Sequence, residues 1–85
     1  MAPSFSDIPI EALREQLTRC LHVIGDAERL GYEAGVSDSV IQLCQAAMMI
    51  TQAGHSLLGN DMDDARLRIS AAVEQLTHVQ SQLQP

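Results

Sequence analysis

The segment Leu58–Ile69, LGNDMDDARLRI, places three aspartates, Asp61, Asp63 and Asp64, within four residues. Clustered carboxylates bind a hard cation, offer an acidic patch to a basic partner, or open a helix. A calcium loop of the EF-hand kind needs oxygen ligands at its first, third and fifth positions, glycine at the sixth and glutamate at the twelfth. Counting from Asp61 puts Asp63 third, but then Ala65 fifth, Arg66 sixth and Ala72 twelfth. The pattern fails after two ligands, so no metal is expected here. Acids in a first turn, by contrast, complement free N–H groups and the positive end of the helix dipole. Asp61 and Asp64 also have N-cap to N3 spacing.

The other chemically capable residues do not gather. His22, His55 and His78 form no HxxxH or HExxH pattern. Cys20 and Cys44 match no metal-ribbon or redox spacing. Each falls on a helical core stripe, at similar heights if the helices are antiparallel, which suits two small buried hydrophobes. There is no glycine-rich phosphate loop, no GxSxG, and no nucleophile beside a base. A core this small encloses no substrate pocket. The sequence therefore predicts no enzyme, no cofactor and no small-molecule substrate.

Composition narrows the partners further. The chain has 85 residues, enough for one domain, and a net charge of −6. That charge argues against direct nucleic-acid binding through phosphates. The aromatics are Phe5 and Tyr32, too few for a base-stacking platform. All five basic residues are arginine, a usage typical of a GC-rich bacterial genome or its phage. The first residues, MAPSFSDIPIEA, lack a basic region followed by an apolar run, so no signal peptide is expected. With cysteines read as reduced thiols, the expected location is cytoplasmic. The longest uncharged stretch, Ser39–Asn60, includes Gln42, Gln45, Gln52, His55 and Ser56. It is too polar to cross a membrane.

Three helices must position these residues. Residues 1–6 read as a flexible arm. Ser6 or Asp7 caps a first helix over 7–34, with Pro9 tolerated in its first turn. Ile10, Leu13, Leu17, Cys20, Ile24 and Ala27 follow at spacings of three and four, a helical stripe. Gly35 is expected at C′, with Val36 folding back. Ser39 and Gln42 have capping-box spacing and open a second helix over 39–58. Its Gln42, Gln45, Gln52 and Ser56 share a narrow polar strip, and apolar residues fill most of the remaining circumference. Such a helix needs cover on two sides and belongs in the centre. Gly59 is expected to close it. Asn60 or Asp61 then opens a third helix over 61–83. Met62, Ala65, Ile69, Ala72, Leu76, Val79 and Leu83 repeat there as an a/d heptad seam. Short connections imply antiparallel neighbours. The expected fold is all-α: a small antiparallel three-helix bundle, up-down-up, with heptad-like core seams, in a single domain over 7–84. The structural rival is a helical hairpin that dimerises by exchanging its third helix.

In that topology Asp7 and Glu11 share a pole with Asp61, Asp63, Asp64 and His55, an acidic patch suited to a basic partner. Leu67 points away from the third helix's seam. Met49 lies within the glutamine strip of the second helix, and Met48 borders it. Flexible methionines suit an adaptable protein contact. The expected function is a small acidic helical protein-interaction module: a regulator, adaptor or co-chaperone that binds a partner protein or itself as a homodimer. Its candidate contact residues are Met48, Met49, Gln52 and Leu67, with Asp61, Asp63 and Asp64 at the pole. Residues 11–58, EALREQLTRCLHVIGDAERLGYEAGVSDSVIQLCQAAMMITQAGHSLL, resemble the small helical co-chaperones of bacterial type III secretion in helix lengths, opening segment and turn. That resemblance implies a co-chaperone role. An alternative is a nucleic-acid mimic that inhibits a basic protein. It requires a contiguous acidic face, which Arg14, Arg19, Arg29, Arg66 and Arg68 interrupt.

Overall fold

The computed structural model describes residues 10–83. The expected arm, the Ser6 or Asp7 cap, Pro9 and the contribution of Asp7 to the pole lie outside the described residues. Three helices follow one another: α1 (Ile10–Ala34), α2 (Asp38–Leu58) and α3 (Met62–Leu83). Paired positions run in opposite directions along both interfaces. In the first, Gly31 lies against Ile41, Glu28 pairs with Gln45, Gly25 faces Met48 and Leu17 approaches Gly54. In the second, Ser56 pairs with Asp64, Gln52 with Arg68 and Gln45 with Gln75. The chain is thus an up-down-up three-helix bundle, with α2 in the centre.

The turn between α1 and α2 closes as the sequence predicts. Gly35 has φ +70°, a left-handed conformation that glycine adopts without a Cβ penalty. Its N–H donates to the Tyr32 carbonyl at 3.2 Å, and the Val36 N–H donates to the Gly31 carbonyl at 3.2 Å. This double closure is the Schellman motif. It folds Val36 and Ile41 onto Gly31, where a Cβ would lie 2.8 Å from Ile41 Cδ1. The missing side chain of Gly31 therefore makes room for Ile41, the largest residue in the buried core.

One expected helix boundary differs by a residue, and the far end of α2 closes as expected but with an unexpected left-handed residue. The second helix starts at Asp38, with Ser37 as its N-cap residue and no side-chain cap bond. The Ser39 hydroxyl donates instead to Gln82 Oε1 on α3 at 3.2 Å, so no Ser39–Gln42 capping box forms. At the far end, Gly59 sits at φ −89° and the left-handed residue is Asn60, at φ 61°. Asn60 N–H donates to Leu57 and Asp61 N–H to Ser56, again the Schellman pattern. Gly59 closes the helix as its C-cap, and Asn60 takes the C′ place after it because asparagine tolerates the left-handed region better than other non-glycine residues.

The buried core is smaller than the expected seams. It consists of Ile41, Ala46 and Ala53 on α2 and Ala65, Ala72 and Val79 on α3. No residue of α1 is fully buried. Of the expected α3 seam, only Ala65, Ala72 and Val79 are enclosed. Met62, Ile69, Leu76 and Leu83 are exposed. Size explains the difference. Alanines at the centre let the α2 and α3 backbones approach closely, and larger side chains half a heptad away are pushed to the rim. No Cα of α1 comes within 8 Å of α3, so the two outer helices leave the bundle open around α2. Among the described residues, no helix is long and apolar enough to cross a membrane.

Candidate interaction surface

The three aspartates do separate jobs at the start of α3. Asp61 Oδ1 accepts the Asp64 backbone N–H at 3.0 Å, an N-cap to N3 bond. Asp63 is exposed and pairs loosely with Arg66 at 3.7 Å. Asp64 turns inward. It accepts a hydrogen bond from the Ser56 hydroxyl on α2 and another from Arg68 Nε at 2.7 Å. The Ser56 bond, followed by the Arg68 bond, holds its carboxyl below the ordinary value of 3.8, against a smaller opposing effect of burial. Glu11 and His55 share a shallow groove with Arg14, Glu15, Thr18 and Arg19. Acids and arginines therefore alternate at this pole. Among the described residues, no three histidine, cysteine or carboxylate side chains gather in a way that could hold a metal. Cys20 is exposed and Cys44 half-buried, and both are free thiols.

The glutamine strip of α2 does not face outward. Arg68 Nη1 donates to Gln52 Oε1 at 2.5 Å. Gln75 Nε2 donates to Gln45 Oε1 at 2.6 Å, and Gln45 Nε2 donates in turn to Glu28 on α1 at 3.0 Å. The strip is thus a polar ladder that ties α2 to both neighbours along one flank. Met49 is half-buried in a groove with Gln42, Ala71, Glu74, Gln75 and His78. Met48 is half-buried, its methyl 3.8 Å from where a Gly25 Cβ would be. The structure places Met48, Met49 and Gln52 between helices. Leu67, at 71% exposure, stands free on α3.

The opposite flank carries a surface that the sequence reading did not single out. On α2, Leu43, Ile50 and Leu57 recur every seven residues and are all exposed. On α3, Met62, Ile69, Leu76 and Leu83 do the same. The ladder bonds mark one edge of the α2–α3 interface and the buried alanines its middle. Both apolar stripes therefore lie along the other edge and face the same way. Helix α1 adds exposed Leu13 and Val23 on its side away from Leu21, which lines the ladder flank near Gln52 and Arg68. The signal was present in the sequence as the seven-residue spacing of Leu43, Ile50 and Leu57. It was hidden because α2 is apolar over most of its circumference, so this line does not stand out.

Compared with models of protein families, with curated proteins and with solved structures, the chain matches none.

Proposed function

We propose that the protein is a small acidic helical interaction module, one that acts by binding a protein surface rather than by catalysis. One observation carries the reading: exposed leucine, isoleucine and methionine side chains of two helices collect on one flank, while the polar ladder between the helices lies along the other. Single exposed apolar residues are ordinary, but contiguous patches mark contact sites. Removing such side chains costs little fold stability and removes the contact. The test is the double variant Leu43→Gln, Leu76→Gln, followed by circular dichroism and photochemical cross-linking, which needs no lysine, a residue the chain lacks. Helicity and melting temperature are expected to stay near the parent's, while cross-linking to itself and to other proteins of the host extract disappears. A variant that cross-links as the parent does, or a parent with no cross-links, sinks the reading. The acids are interleaved with arginines in close pairs, Glu11 with Arg14, Asp63 with Arg66 and Asp64 with Arg68. That pairing favours a contact module over a nucleic-acid mimic.

A further inference from the structure

We infer that the apolar flank of α2 and α3 is covered by a second copy of this chain, giving a two-fold dimer; this rests on the interaction-module reading and names its partner. Two observations lead to a second copy.

The first is charge. The chain carries −6, so two copies repel wherever their acids meet. From Val40 to Leu58, α2 has no formal charge at all. Its stripe of Leu43, Ile50 and Leu57 is therefore the place where two acidic copies can approach without opposing carboxylates. A strongly basic partner would find nothing there to pair with, and its own charges would be buried uncompensated.

The second is pattern. Leu43, Ile50 and Leu57 on α2 and Met62, Ile69 and Leu76 on α3 are two antiparallel rows with the same seven-residue step. A surface made of two such rows is self-complementary under a two-fold axis: each row supplies knobs for the spaces in the other copy's rows. The face also lies beside the alanine seam, so covering it completes a core that one chain leaves half built.

The experiment is sedimentation velocity with light scattering on the full chain over roughly a hundredfold concentration range. The parent is expected at twice the monomer mass. Ile50→Glu, which puts a carboxylate against its own copy near the axis, is expected to sediment as a helical monomer. Ile50→Ala keeps a good helix former and is expected to weaken the dimer at least tenfold, so a misfolded glutamate variant does not end the test. Arg66→Gln, outside the two rows, should dimerise as the parent does. A parent dimer that survives both Ile50 substitutions overturns the assignment of this face. A monomeric parent also overturns it. If that monomer still cross-links to another protein through Leu43 and Leu76, the module reading stands with a different partner. If it does not, both fail.

Discussion

The two interfaces of this bundle are built on different plans. Helices α2 and α3 meet over the buried alanines and Val79, with four side-chain hydrogen bonds at Ser39, Gln45, Gln52 and Ser56. Helix α1 meets α2 through half-buried Leu17, Ile24 and Gly31 and the single Glu28–Gln45 bond. Close packing at the first interface makes it intolerant of added volume. Partial burial at the second makes it loose and adjustable. What the difference teaches is that a regular heptad does not fix which residues go inside. The smallest members of the repeat won the centre, and the largest were left for another surface.

The contrast can be broken most strongly at its tight side. Ala72→Leu forces a branched side chain into the alanine seam and should cost about 2–3 kcal/mol in urea unfolding. The same change at exposed Ala27 of α1 should stay within about 0.5 kcal/mol. Equal costs at the two sites would mean that the helices are not packed as unequally as described. Next comes the hinge that attaches α1. Gly35→Ala puts a Cβ on a residue at φ +70° and should lower stability by about 1 kcal/mol. Thermal melts of both proteins measure this directly.

The loose side can also be tightened. A Cβ at Gly25 would meet Met48 Cε at an ordinary 3.8 Å. Gly25→Ala should therefore stabilise α1 by about 0.5–1 kcal/mol. Amide hydrogen exchange in α1, expected to be faster than in α2 and α3, should slow in this variant.

The smallest effect belongs to Asp64, whose bonds to Ser56 and Arg68 are partly open to solvent and screened by salt. Its carboxyl is held below the ordinary 3.8 when folded. The contribution is present in full above the unfolded value and is lost as pH falls through 3.8 toward the lower folded value. Asp64→Asn should therefore be less stable than the parent near neutrality. The two should converge in acid. A constant offset across that range would show that the carboxylate's charge is not what matters.

Much of the frame was legible beforehand. Gly35 and Val36 announced their turn because only one local geometry uses glycine followed by a returning apolar residue. The order and direction of the helices followed from short connections. The start of α3 was legible too, because Asp61 acts on its own neighbours. Legibility failed where the outcome depended on distance between helices. The glutamine strip looked like a solvent face because periodicity records polarity and not partners; Arg68, Gln75 and Glu28 lie on other helices and drew it inward. Gly59 closes α2 as expected, but nothing in the sequence showed that the left-handed residue after it would be Asn60.

No Cα of α1 comes within 8 Å of α3, and each of these helices packs on α2, its neighbour in the chain. The backbone packing can then be made by closing two hairpins, each across a turn of a few residues. Chains dominated by such local contacts fold in microseconds to milliseconds. The two hairpins share α2, so the search has two entrances to one result. The tighter alanine seam predicts that the α2–α3 entrance is the favoured one, with α1 docking onto a pair already formed.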